Sequence, residues 1–170
     1  MAPERKLARL YDDHAPALFA FLLNLTRNEA DNHDLLQDLF IKLARQPELL
    51  REVREERAFL LRLAHNAAID LMRRRTSREQ RNESFSVETF SAFAPTADPD
   101  EQAFRDALAG ALGELPPDQR AVVHLKLWAG QTFEQIAETL DIPLNTAASR
   151  YRYGLDKMRA RLRPLYEELQ

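Results

Sequence analysis

Residues 131–152 read Gln131-Thr132-Phe133-Glu134-Gln135-Ile136-Ala137-Glu138-Thr139-Leu140-Asp141-Ile142-Pro143-Leu144-Asn145-Thr146-Ala147-Ala148-Ser149-Arg150-Tyr151-Arg152. They spell a short helix, a tight turn and a second helix. Thr132 and Gln135 have the spacing of a capping box, in which hydroxyl and amide satisfy free N–H groups at a helix start. Phe133, Ile136, Ala137 and Leu140 recur at helical spacing and give that helix one apolar face. Pro143 disfavours helical geometry at Ile142, and Asn145 is a good N-cap for the second helix. In that helix Ala147, Tyr151, Leu155, Met158 and Leu162 form the inner stripe. Thr146, Ser149, Arg150, Arg152, Tyr153 and Lys157 are left facing outward. A helix-turn-helix offers its recognition helix to the DNA major groove in this way. Two amphipathic helices about a turn are also common in helical bundles, so the motif alone leaves plain packing open.

The charge pattern favours nucleic acid. From Arg150 to Arg163, six cations are opposed in sequence only by Asp156, a density suited to phosphate contact. Arg73, Arg74, Arg75, Arg78 and Arg81 make a second basic block. Acidic zones lie between the two and again from Glu29 through Asp31, Asp34 and Asp38. The net charge of −3 averages over this segregation, which implies two kinds of partner, nucleic acid and protein.

The 170 residues allow one domain or two small ones. Four glycines, abundant Leu, Ala, Arg and Glu, and no alternating Val/Ile runs predict an all-α protein. With no cysteine, disulfides, thiolate zinc sites and cysteine nucleophiles are excluded, as fits a reducing compartment. No signal peptide or apolar run long enough to cross a bilayer is visible, so the expected location is the cytoplasm. A metal site at Glu29, Asp31, His33 and Asp34 is disfavoured, because no loop with spaced oxygens and a glycine accompanies them. No cofactor is expected.

Three helices are predicted in the N-terminal half. The first runs from Arg5 to about Arg27 with a break or kink near Pro16 and a stripe of Leu7, Leu10, Leu18, Phe19, Leu22 and Leu25. The second is capped by Asp31 and stopped by Pro47, with Leu35, Leu36, Leu39, Phe40 and Leu43 inward. The third spans about Glu55 to Arg75, with Phe59, Leu60, Leu63, Ala67 and Leu71 inward and Arg62, His65, Asn66 and Asp70 outward. Residues 77–100 lose the helical period and read as a linker, although Phe85, Phe90 and Phe93 would be costly to leave in water. Further helices are predicted at about Glu101–Leu115, Asp118–Ala129, Thr132–Leu140 and Asn145–Glu168, with Gly130 as a C′ residue and Trp128 in the core. The division is 1–76, a linker of 77–100, and 101–170.

Taken together the halves resemble the extracytoplasmic-function (ECF) class of bacterial RNA polymerase sigma factors, minimal members with two helical domains and a linker. Asp34-Leu-Leu-Gln-Asp-Leu-Phe resembles the family's Asp-Leu-Val-Gln-Glu-Val-Phe helix. Glu56-Arg-Ala-Phe-Leu-Leu-Arg-Leu-Ala-His-Asn through Arg75 resembles its promoter-melting helix. Leu115-Pro-Pro-Asp-Gln-Arg, Thr132-Phe-Glu-Gln-Ile-Ala and Asn145-Thr-Ala-Ala-Ser-Arg resemble its C-terminal domain.

The resemblance implies a non-catalytic subunit that binds core RNA polymerase and directs promoter recognition. Asp34, Leu35, Gln37 and Asp38 would meet the clamp helices of the largest polymerase subunit, and the flap would be a further contact. Arg62, His65, Asn66, Arg73 and Arg74 would capture the minus-ten element as single strand, because an unstacked base needs a pocket and its backbone needs cations. Thr146, Ser149, Arg150, Arg152, Tyr153 and Lys157 would read the minus-thirty-five element as duplex. An anti-sigma protein is an implied partner.

Departures from the family pattern are Phe59 for tryptophan, Leu61 for tyrosine, Asn145 for glycine and Ala148 for lysine. Tyr151 and Tyr153 stand where leucine and arginine are usual, so upstream base preference should differ from that of typical members. An autonomous helix-turn-helix regulator with a sensing or dimerising half accounts equally well for residues 101–170, but leaves the Asp34–Phe40 and Phe59–Arg75 segments unexplained. An enzyme acting on nucleic acid has no support, since there is no convergent carboxylate pair, phosphate-binding glycine loop or cysteine–histidine cluster.

Overall fold

Proline sets the start of three helices: Pro3, Pro99 and Pro117 each occupy the first turn, where a missing N–H costs nothing and a fixed φ is already helical. The computed structural model describes residues 2–79 and 97–168. Its helices are α1 (Pro3–Thr26), α2 (Glu29–Arg45), α3 (Glu56–Glu79), α4 (Pro99–Glu114), α5 (Pro117–Leu127), α6 (Phe133–Leu140) and α7 (Leu144–Glu168). A single 3-10 turn, Pro47–Leu50, comes after α2. Among the described residues there is no strand, and no helix is long and apolar enough to cross a membrane. The linker aromatics Phe85, Phe90 and Phe93 lie outside the described residues.

Several local expectations shift. α1 continues through Pro16 without a break. Leu10, Ala15, Leu18, Phe21, Leu22 and Leu25 are buried on both sides of it, and this packing outweighs the hydrogen bond that proline removes. Asn28, not Asp31, caps α2: its side chain accepts from the Asp31 N–H at 3.0 Å. α7 begins at Leu144, where the Pro143 carbonyl accepts from Thr146 and Ala147, so Asn145 sits inside the first turn. Helix α3 runs past 76, to Glu79, and α4 begins before 101.

The helix-turn-helix forms as its sequence predicts. The Thr132 N–H donates to Gln135 Oε1 at 2.9 Å and the Gln135 N–H to Thr132 Oγ1 at 3.2 Å. Asp141 closes α6 in the left-handed region (φ 54°), and Gly130 takes φ 66° before the box. Gly154 is where α7 meets α5; an added Cβ would stand 2.8 Å from Val123 Cγ2.

The all-α, two-halved architecture has one property that the motifs did not predict: the halves share a core. Ala121, Val122, Leu125, Ile136, Leu140 and Ala147 belong to the same buried cluster as Leu18, Phe21, Leu22, Leu25 and Leu60. A smaller cluster of Ala111, Leu112, Leu115, Val123 and Met158 lies between α4, α5 and α7. α1 packs on α5, and α3 packs on α6. The second contact explains why α3 buries Leu60, Leu61, Ala64 and Ala68 most deeply while Phe59, Leu63, Ala67 and Leu71 are only partly covered. A helix gripped from two sides has no single apolar stripe. Trp128, expected in the core, is 39% exposed. It succeeds the last residue of α5 and stacks on the His124 ring at 5.8 Å along the edge of the seam.

Candidate nucleic-acid interface

α7 owes its position to α5 and α6. Tyr151 meets Phe133 edge-on at 5.4 Å, and Ala147 is fully buried beneath α6. The opposite side therefore faces out. Arg152, Tyr153 and Lys157 are exposed, with the Arg152 guanidinium 5.2 Å from the Tyr153 ring centre. Thr146, Ser149 and Arg150 are half-buried. The Ser149 hydroxyl donates back to the carbonyls of Asn145 (2.9 Å) and Thr146 (3.2 Å). Arg161 of the basic tail pairs with Glu114 at 3.1 Å, an acid from α4 that the linear charge pattern could not place there. Lys126, on α5, has its ammonium 4.7 Å from the Phe133 ring centre.

The residues predicted on α3 divide into two groups. Asn66, Arg73 and Arg74 are exposed; Arg74 Nε donates to the Asp70 carbonyl at 3.4 Å, so it is the main chain of Asp70, not its carboxylate, that meets this arginine. Arg62 and His65 are half-buried. Arg62 Nε donates to the Thr139 carbonyl at 3.1 Å and Nη2 to the Glu138 carbonyl. These are last-turn carbonyls of α6 at the negative end of its dipole; that of Glu138 also accepts from the Asp141 N–H at 3.3 Å. The His65 ring lies 6.4 Å from that of Phe21. Burial pushes its pKa down; Asn66 and Asp118 oppose the shift while Arg150 and Arg73 add to it. Arg75 is held by Asp31, with Nη2 donating to Oδ1 at 2.5 Å.

On α2, Asp34, Gln37 and Asp38 are exposed together. Leu35 is turned into the core at 9% exposure, so it holds the helix in place instead of offering surface. The apolar part of this face comes from Ile41 and from Tyr11 of α1, whose ring meets Phe40 edge-on at 5.0 Å. Tyr11 was missed because it lies off the apolar stripe of its own helix. Among the described residues no group of acids and histidines is arranged to hold a metal. Asp31 is instead paired with Arg75, and Glu29 and His33 form an exposed pair at 3.7 Å.

The seam between the halves contains polar residues that sequence reasoning did not single out. Arg120, 7% exposed, donates to the carbonyls of Leu25 (2.6 Å), Leu115 (2.8 Å), Leu112 (2.9 Å), Gly113 (3.2 Å) and Asn24 (3.3 Å). It thus joins the free end of α1 to the α4–α5 turn. Burial, and secondarily Arg27, lowers its pKa to about 10. His124 is 5% exposed, and burial with some help from Arg57 lowers its pKa to about 4. The neutral ring accepts from Asn24 Nδ2 at 2.5 Å through Nδ1, which leaves the proton on Nε2. Arg57 Nη2 donates to the Ala129 carbonyl at 3.3 Å. The only sequence signal was a cation and a histidine inside the apolar run Ala121–Leu127 and at its edge.

Residues 10–78 match sigma-70 region 2 and residues 111–160 match sigma-70, region 4. The chain is 34% identical to the ECF RNA polymerase sigma factor SigL of Mycobacterium tuberculosis, over 96% of this chain and 93% of that protein. It is 27% identical to the ECF RNA polymerase sigma factor SigX of Bacillus subtilis, over 98% and 88%. Among solved structures it resembles the sigma factor RpoE in complex with the anti-sigma factor NepR from Bartonella quintana, with a TM-score of 0.73, 24% identity and coverage of 94% and 96%. It also resembles CnrH in complex with the cytosolic domain of CnrY, with a TM-score of 0.68, 24% identity and coverage of 95% and 90%. These two likenesses concern the fold.

Proposed function

This chain belongs to the ECF class of RNA polymerase sigma factors, and from that premise we propose how its surfaces divide the work of starting transcription. The protein binds core RNA polymerase and directs it to promoters. The α2 face of Asp34, Gln37 and Asp38, edged by Tyr11 and Ile41, docks on basic polymerase surface; Leu35 supports it from the core. Asn66, Arg73 and Arg74 hold the minus-ten strand, joined by Arg62 and His65 once these are uncovered. Arg152, Tyr153 and Lys157 read the minus-thirty-five duplex from the exposed side of α7, with Thr146, Ser149 and Arg150 nearer the helix start. Residues 1–76, 77–100 and 101–170 correspond to the polymerase and strand module, the linker and the duplex module. The bonds are made by the polymerase, and this chain supplies no catalytic group. It works in the cytoplasm, where an anti-sigma protein is a partner of the kind solved with RpoE.

The observation that carries this reading is that the exposed acids lie on α2 and the exposed cations on α7, two different helices joined through a shared core. Protein and DNA can be gripped at once, without competition. An autonomous regulator has no use for the acidic face. The test is run-off transcription with bacterial core polymerase on a promoter library, alongside the triple variant Asp34→Ala, Gln37→Ala, Asp38→Ala. The variant should stay helical, lose core binding and lose transcription. Unchanged core binding removes the assignment of this face.

A further inference from the structure

We infer that the cleft between α1, α3 and the end of α5 is a binding site for a small aromatic carboxylate, separate from the polymerase and DNA surfaces. Its volume is about 240 Å³. That is below the roughly 300–1,000 Å³ of sites for drug-sized ligands, so a single-ring occupant is the size that fits. The walls are small and apolar: Ala17 and Ala20 of α1 stand one helical turn apart, and Leu61 of α3 joins them. Trp128 also lines the cleft, 39% exposed, with its ring plane 15° from that of His124. A flat ligand ring gains area and stacking on such a surface.

The polar end is made of donors. Arg57 is exposed, and its Nη2 donates to the Ala129 carbonyl at 3.3 Å. The rest of its fork has no partner among the described residues, and a guanidinium fork matches a carboxylate. His124 supplies a second donor: Nδ1 accepts from Asn24 Nδ2, and the proton on Nε2 has no partner among the described residues. Arg57 is near enough to His124 to add to the effect of burial on its pKa, so cation and neutral N–H serve one place. Asn24, 6% exposed, lines the cleft too, and its Oδ1 is buried without a partner. The protein itself thus leaves this polar end incompletely satisfied. Glu55 and Glu138 line the neighbouring cleft; no acidic side chain among the described residues lines this one, so an anion meets no repulsion from its walls. None of these residues belongs to the docking or DNA sets.

Trp128 is the only tryptophan, so 5-fluorotryptophan labels this site alone. The full chain so labelled is titrated with benzoate and followed by fluorine NMR. The Trp128 signal should shift saturably, with a Kd on the order of 1 mM or tighter, as for a ligand of few atoms. Arg57→Gln should weaken binding at least about tenfold, the loss expected for a charge-assisted hydrogen bond. Neutral benzamide should bind the wild-type chain more weakly than benzoate by about the same factor. Ala17→Leu should abolish the shift by filling the cleft, and Ala20→Leu takes its place should circular dichroism show that variant to be misfolded. A shift that grows linearly with benzoate overturns the site, as does saturable binding left intact by Arg57→Gln or by the filled cleft. Equal affinity for benzamide overturns the carboxylate as the ligand class.

Discussion

Helices α3 and α7 are both rich in arginine, yet the fold treats them oppositely. α7 leans on α5 and α6 with one side and shows the other to solvent, so Arg152, Tyr153 and Lys157 are exposed. α3 is held from both sides, and two of its five candidate DNA contacts face a neighbouring helix. On the proposed assignment, the physical difference lies in what each binds. A duplex is present before any opening, whereas flipped bases exist only after strands separate. The helix with an always-available target is left bare, and the one whose target comes later is partly covered.

The comparison breaks most completely if the seam is removed. Arg120→Ala removes five donations to carbonyls and should destabilise the protein by about 3–5 kcal/mol, the range for breaking a buried charged network. Arg120→Lys should recover little, because an ammonium lacks the planar fork that reaches both helix ends. Urea denaturation monitored by circular dichroism measures both, and a loss below about 1 kcal/mol for the alanine variant would show the network to be dispensable.

Acid should act on the same seam. His124 is neutral in the native state, with a pKa of about 4, whereas in the unfolded chain it titrates near 6.5. Between those values the unfolded state binds the extra proton, so stability is complete above about pH 6.5 and falls as pH drops toward 4, by about 3 kcal/mol. His124→Gln should flatten that part of the stability profile while lowering stability at neutral pH. An unchanged slope between pH 6.5 and 4 would place the acid response on other groups.

Much of this was legible in the chain. The capping box, the breaker at Pro143 and the periodic stripe of α7 are local signals, and local chemistry decides them. Pro16 and Trp128 misled for the converse reason. Packing of α1 overrides a local helix breaker, and a helix that ends at Leu127 leaves the next side chain on the rim. The covering of Arg62 could not be read at all, because its partners are backbone carbonyls far along the chain, and every residue type presents the same carbonyl. For α2 the periodicity gave the exposed acids correctly, while the neighbouring Leu35 fell on the core side of the same turn.

The two helices should also separate in solution binding. Arg152→Ala with Lys157→Ala should weaken duplex binding in the polymerase complex and lower the salt slope by about 2, about one per lost phosphate contact. Arg73→Ala with Arg74→Ala should leave duplex capture unchanged and reduce the fraction of open promoter, read by permanganate reactivity of unpaired thymines. If both pairs alter both steps equally, the division of labour between α3 and α7 is wrong.

The smallest effect addresses the element that touches both. α6 spans only Phe133–Leu140, too short to persist without its ends satisfied, and its last turn serves two helices. Its start is held by the Thr132–Gln135 box; its finish supplies the carbonyls that hold Arg62 and leads into the turn that aims α7. Thr132→Ala should cost about 1 kcal/mol, the usual loss for an N-cap, while Thr132→Ser should be nearly silent. The informative readout is where that loss appears. Hydrogen exchange should quicken at the amides of α6 and, with it, at those of α3 packed against it, because fraying from the start of so short a helix loosens its end. Quickening limited to α6 would mean that α3 keeps its cover without help from the box, and that the seam is held by Arg120 and the shared core alone.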